Sequence, residues 1–216
     1  MIDSDSLLQS RLQAVESADS AQAMLDSVEA LAELKSEKAI DALIRVLGYN
    51  NPGAAVAAVD GLIQIGTPAA SAVLSQIDGY NYGARAWALR VLAGIGDPRG
   101  LDLILVTAAE DFSLSVRRAA ARGLGTIQWE KLEKAERLDG QIQARDTLLG
   151  VAAADPEWVV RYAAVVGLQG VAIAAISEDY QDLPEPIVQR LQAIAADDDT
   201  MAVRARAAWA IAQLPS

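Results

Sequence analysis

The stretch Val116-Arg117-Arg118-Ala119-Ala120-Ala121-Arg122-Gly123-Leu124-Gly125-Thr126-Ile127 decides the fold. Counted from Arg117, the apolar residues Ala120, Leu124 and Ile127 stand at offsets three, seven and ten. Those offsets share one face of an α-helix but straddle both faces of a strand. The pattern recurs as Ala84-Arg85, Ala88, Leu92, Ile95, as Val160-Arg161, Ala164, Leu168, Val171, and as Val203-Arg204, Ala207, Ile211, Leu214. A weaker copy has Ala55 in the Arg place, followed by Ala58, Leu62 and Ile65. Upstream, Leu31 and Leu34 close a degenerate first helix from about Ser20 to Lys35.

Working outward, second helical segments are expected at about 37–47, 68–77, 99–109, 141–153 and 187–196. Asn51-Pro52, Gly66-Thr67-Pro68, Gly96-Asp97-Pro98 and Asp155-Pro156 separate them, each pairing a helix stop or cap with a proline suited to a helix start. Repeats lie about 30 residues apart early and about 44 late, with insertions near 128–140 and 174–186. The expected fold is all-α, a right-handed α-solenoid of about five to six two-helix HEAT-like repeats, in which each repeat covers its neighbour's apolar face. Residues 1–216 read as a single repeat domain.

Composition narrows the chemistry. The chain is 52% hydrophobic, dominated by Ala, Leu, Val and Ile, with Phe112 its only phenylalanine, a mixture suited to closely packed helices. It contains no Cys and no His, which removes thiolate nucleophiles, imidazole bases and the usual transition-metal ligands. No paired acidic motif stands out, so no catalytic residue, metal or intrinsic cofactor is expected. The net charge of −11 repels phosphate backbones and anionic membrane surfaces. Met1 to Ser10 has no secretory character, and no uninterrupted run of eighteen apolar residues occurs. Neither nucleic acid nor membrane is expected as a partner.

Asp111, Asp155 and Asp198 precede Arg117, Arg161 and Arg204 by six residues. Partly buried charges are normally paired, so these six residues read as a structural ladder tying one helix start to the next. Offsets two, five and nine lie roughly opposite the core face and should be exposed. That stripe reads Ala57, Asp60, Gln64; Trp87, Arg90, Gly94; Ala119, Arg122, Thr126; Ala163, Val166, Gly170; and Arg206, Trp209, Gln213. Trp87 beside Arg90 and Arg122, with Asp60 one repeat away, places a flat aromatic, two guanidinium forks and a carboxylate on adjacent helices. Tyr80 and Tyr82 enter the same helix, and Arg85 lacks an Asp six residues upstream, where Gly79 stands. The alternative for Trp87 and the tyrosines is that they fill gaps between helices.

The segment Tyr80-Asn81-Tyr82-Gly83-Ala84-Arg85-Ala86-Trp87-Ala88-Leu89-Arg90, continuing through Ala93-Gly94-Ile95-Gly96-Asp97-Pro98-Arg99-Gly100, resembles the F subunit of the heterodimeric E/F-type phycobilin lyases of cyanobacteria. The repeats resemble the HEAT-like repeats of those lyases over nearly the whole chain. The resemblance implies an enzyme active only with an E-type partner subunit. Such a pair binds phycocyanobilin as substrate and attaches it by a thioether to a cysteine of the phycocyanin α subunit, in the cyanobacterial cytosol. Isomerising relatives depend on a His-Cys motif that this sequence cannot contain, so no isomerase activity is implied. On this reading Asp60, Tyr80, Tyr82, Arg85, Trp87, Arg90 and Arg122 bind the bilin. Two other classes stay open at this point: a non-enzymatic HEAT-like phycobilisome degradation factor that binds phycobiliproteins, and a general scaffold.

Overall fold

A computed structural model describes residues 4–76, 82–178, 180 and 182–215, with the side chain of Tyr82 not among them. Twelve α-helices and no strand occur among the described residues, and the chain divides into two compact units, Met1–Ile95 and Gly96–Ser216. In the first unit, α1 (Ser4–Ser17), α3 (Ile40–Val46) and α5 (Thr67–Gln76) form one layer. The motif-bearing α2 (Ala21–Ala32), α4 (Pro52–Ile65) and α6 (Tyr82–Ile95) form the other, packed in the order α2, α4, α6. Ser20 caps α2 by accepting from the Ala23 N–H at 3.1 Å. Asn51 does the same for α4 through Ala54 and also donates its amide to the Ala21 carbonyl at 2.9 Å, joining the starts of two neighbouring helices. Leu31, Leu43, Leu62, Leu89 and Leu92 are fully buried between the layers. At Gly61 a Cβ would lie 2.6 Å from the Ala32 methyl, so glycine sets how closely α2 and α4 approach.

The second unit repeats the scheme. Its outer layer is α7 (Leu101–Glu110), α9 (Lys134–Ala154) and α11 (Pro184–Asp197), and its motif layer is α8 (Leu114–Gly123), α10 (Trp158–Ser177) and α12 (Met201–Ala212). Val116, Val160 and Val203, the residues before each motif arginine, are fully buried, as are Ala120, Ala164 and Ala207. A Cβ on Gly170 would meet the Gly125 carbonyl oxygen at 2.1 Å, so α10 passes against bare backbone there. The helix α10 is long and apolar enough to cross a membrane by length and composition, but 61% of its apolar 18-residue stretch is buried, and it packs among α8, α9 and α12.

Two elements differ from expectation. The helix α1 was not foreseen; it buries Leu8 and Val15 against α2, a two-residue contact too sparse to stand out among its polar neighbours. The helix α9 starts at Lys134, well before 141, because the insertion folds back on itself: Trp129 is buried in a 3-10 turn and packs on Gly140. The two insertions also meet, Arg137 of α9 pairing with Glu178 at 3.2 Å and donating to the Leu132 carbonyl at 3.0 Å.

Candidate functional site

Each motif helix buries the face carrying offsets three and seven, apart from the half-buried Ile211 of α12, and its opposite face carries the candidate binding residues. Asp60, Arg90, Arg122 and Trp209, all at offset five, are exposed, whereas Val166 is half-buried. Offset two differs from expectation. Ala57, Ala119 and Ala163 are buried there, since a motif helix flanked by two others needs a wider apolar arc than one facing a single layer. Only at Trp87 and Arg206 does a large side chain occupy offset two, and both stay half-exposed.

In the first unit the guanidinium carbon of Arg90 sits 4.4 Å from the centre of the Trp87 ring, a cation–π contact one turn apart on α6. Trp87 lines a hollow of about 280 Å3 with Tyr49, Asn51 and Pro52. Asp60 lines a separate groove of about 360 Å3 with Glu29, Glu33, Lys35, Val56 and Gln64. The first hollow lies between the start of α4 and α6, and the second between α2 and α4. Asp60, Arg85, Trp87 and Arg90 thus belong to the first unit and Arg122 to the second. Tyr80 lies outside the described residues, and so does the side chain of Tyr82.

The motif arginines of the second unit have a specific geometry. Arg117 donates to both carboxylate oxygens of Asp155, at 2.7 and 3.1 Å, and to the backbone carbonyl of Asp111 at 2.9 Å. Arg161 repeats this with the Asp198 carboxylate at 2.8 and 3.1 Å and the Asp155 carbonyl at 3.0 Å, and it also reaches Asp199. Arg204 donates to the Asp198 carbonyl. Each aspartate in turn accepts from the N–H two residues on, at Ser113, Glu157 and Thr200. An arginine therefore takes a backbone oxygen from its own turn and a carboxylate from the following repeat. The Gly at position 79 consequently does not leave Arg85 uncommitted. Arg85 is half-buried and engaged in contacts of its own.

Charge follows this geometry. The hydrogen bond to Asp155 raises the Arg117 guanidinium above its ordinary range against the opposing effect of burial, and Asp198 does the same for Arg161. For Asp198 burial is the largest influence and pushes its carboxyl up. Arg161 and the Thr200 N–H together outweigh burial and hold the carboxyl below the usual range.

The stripe holds a second aromatic–guanidinium pair. On α12 the Arg206 guanidinium lies 4.6 Å from the Trp209 ring, the Trp87–Arg90 arrangement with the residue order reversed. The signal for it was the same three-residue spacing at offsets two and five. Among the described residues no group of three or more acidic side chains is arranged to hold a metal ion. What the exposed faces offer is guanidinium, carboxylate and flat aromatic surface, which can hold and orient a ligand.

Comparison with known proteins places this architecture. A family model described as HEAT repeats matches residues 73–169, and one described as PBS lyase HEAT-like repeat matches residues 25–49. A phycobilisome maturation protein of Synechococcus elongatus is 53% identical over 89% of this chain and 91% of its own length. The phycocyanin alpha phycocyanobilin lyase CpcF of Synechocystis sp. is 50% identical over 93% of this chain and 91% of its own. The solved complex of CpcE and CpcF of phycocyanin lyase from Nostoc sp. PCC7120 matches with a TM-score of 0.74 at 48% identity, covering 81% of this chain and 99% of that one. This chain, an α-solenoid of HEAT repeats, belongs to the CpcF family of phycocyanobilin lyases.

Proposed function

We propose that the chain is the F-type subunit of a heterodimeric phycocyanobilin lyase, which works in the cytosol with an E-type partner to attach phycocyanobilin to a cysteine of the phycocyanin α subunit. The observation that carries the reading at the level of residues is the Asp60, Trp87 and Arg90 face of α4 and α6, exposed polar groups beside an indole on two packed helices. A bilin presents two propionates, pyrrole N–H groups and a long flat apolar surface. A guanidinium fork matches a propionate, a carboxylate accepts from the pyrroles, and an indole covers the ring system.

The absence of His and Cys from the sequence suits this role. The acceptor protein supplies the thiol, which adds across a double bond of the pigment's reactive side group. One C–S bond forms, the thiol proton passes to the pigment, and no oxidant or leaving group is needed. The lyase holds the pigment extended, shields it from water and aims it at the thiol, which is catalysis by positioning. We assign no isomerisation step to this chain.

Chromophore transfer by the reconstituted pair to pigment-free α subunit, read from the absorption of the product, tests the proposal. The wild-type pair should transfer pigment and either subunit alone should not. A chain that stays monomeric in the presence of the E-type subunit and leaves the acceptor colourless would refute it.

A further inference from the structure

We propose that the second unit carries a carboxylate-binding site of its own, in which Arg206 and Arg122 hold the acid group of a flat conjugated ligand and Trp209 and Tyr162 wall it. The ligand's identity, a propionate of the bilin, rests on the function proposed above; the site itself rests on geometry.

Arg206 is held from two sides. Its Nη2 donates to Oε1 of the buried Gln169 on α10 at 2.6 Å, and its guanidinium lies over Trp209. The remaining fork atom, Nη1, is buried and has no hydrogen-bond partner among the described residues. A buried guanidinium donor left unmade costs free energy. The contrast within the same unit is direct, because the forks of Arg117 and Arg161 are both filled by carboxylates.

Burial lowers the Arg206 pKa, and the positive charge of Arg122 lowers it further, with the Tyr162 phenol opposing both. Arg122 on α8 and Arg206 on α12 stand on the two helices that pack against α10, the helix of Gln169 and Tyr162, and no aspartate or glutamate forms an ion pair with either among the described residues. An anion placed there would satisfy Nη1 and relieve the repulsion between the two guanidinium groups. The walls specify what the anion is attached to. Trp209 is 53% exposed and Tyr162 37% exposed, aromatic faces that a bare inorganic ion would leave unused and a conjugated acid would cover.

The test uses the full chain paired with its E-type subunit. Phycocyanobilin and its dimethyl ester, in which both propionates are capped, are titrated separately and binding is read from pigment absorption. The free acid should bind the wild-type pair about tenfold to a hundredfold more tightly than the ester. Arg206→Met and Arg122→Gln should each weaken binding of the acid by about tenfold or more and leave the ester unchanged. Arg206→Lys, which keeps the charge and loses the fork, should fall between. Unchanged acid affinity in both variants, with melting curves matching wild type, overturns the site. If the wild-type pair binds neither pigment form, the bilin reading fails instead. The site is then judged with indole-3-propionate, followed through the Arg206 side-chain Nε–H resonance. A saturable shift that Arg122→Gln abolishes sustains the carboxylate site, and no shift removes it.

Discussion

Where α8 and α10 carry Arg117 and Arg161, α4 carries Ala55, and each unit holds its own helices together by different means. In the second unit, charged forks join the start of each motif helix to a carboxylate in the next repeat. In the first, the neutral amide of Asn51 joins the starts of α4 and α2, and small side chains at Gly61 and Ala32 bring the helices close. An arginine at the motif position is thus a tie within the scaffold. Arginines at offsets two and five lie on the opposite face, where Arg90 and Arg206 stack on tryptophans, and they are the ones to suspect of binding.

Removing a tie should show the largest effect. The side chains of Arg161 and Asp198 are only 11% and 6% exposed, so Arg161→Ala strands a carboxylate away from water. It should cost about 3 kcal/mol and lower the melting midpoint by roughly 6–12 °C. Asn51→Ala should cost about 1 kcal/mol. Denaturant titrations of both variants would break the comparison if the two losses were equal. A loss of bilin affinity in Arg161→Ala without a fall in melting temperature would show that Arg161 had been misassigned as scaffold.

Next come the close approaches. Gly170→Ala drives a methyl into the Gly125 carbonyl oxygen, which only a backbone shift can relieve, so it should cost about 3 kcal/mol, the upper end for overpacking. Gly61→Ala meets a methyl at a longer 2.6 Å and should cost about 2 kcal/mol. Thermal melts of the two variants rank them.

Binding residues should behave in the opposite way. Arg90→Ala should weaken bilin binding by about 1.5–3 kcal/mol, roughly ten- to a hundredfold, while leaving the melting curve in place. Asp60→Asn keeps the shape and loses the charge, and should shift the bound pigment's absorption along with its affinity.

Acid should have the smallest effect within the physiological range. Arg99 holds the buried Asp97 carboxyl below the usual range, with bonds at 2.9 and 2.7 Å, and Asp198 is held low as described. A carboxyl with a lowered folded pKa contributes stability that is complete above its unfolded pKa, near about 4, and is lost as the pH falls through the folded value. Urea midpoints should therefore be flat between pH 7 and pH 5 as far as these two groups are concerned and should drop toward pH 3. Asp198→Asn should flatten part of that drop.

Much of this fold is legible in one sequence, because offsets three and seven of the repeat are buried in every motif helix from α4 to α12 except at Ile211, which is half-buried. The helix α1 escaped because two buried residues make a faint periodicity. The early start of α9 escaped because nothing in a run of Glu and Lys shows that Trp129 is buried inside it. The six-residue spacing of Asp and Arg is visible in the sequence, but the carboxylate that each arginine takes lies 37 or 38 residues downstream, a distance set by stacking and not by local pattern. The stripe is half legible. Its offset-five residues are exposed apart from Val166, whereas its offset-two alanines are buried by neighbouring helices that a single-helix projection omits. Arg206 looked like any stripe residue because an unfilled fork atom is a property of its surroundings.

The most direct test of the central claim is chromophore transfer to the pigment-free phycocyanin α subunit by the reconstituted pair, run in parallel with Asp60→Asn, Trp87→Ala, Arg90→Ala and Arg117→Ala chains. Positioning by the exposed face of α4 and α6 predicts that the first three lose transfer by about tenfold or more with melting curves like wild type. Arg117→Ala should melt early yet transfer normally below its transition. Full transfer by the Asp60, Trp87 and Arg90 variants would contradict the account and move the bilin off this face.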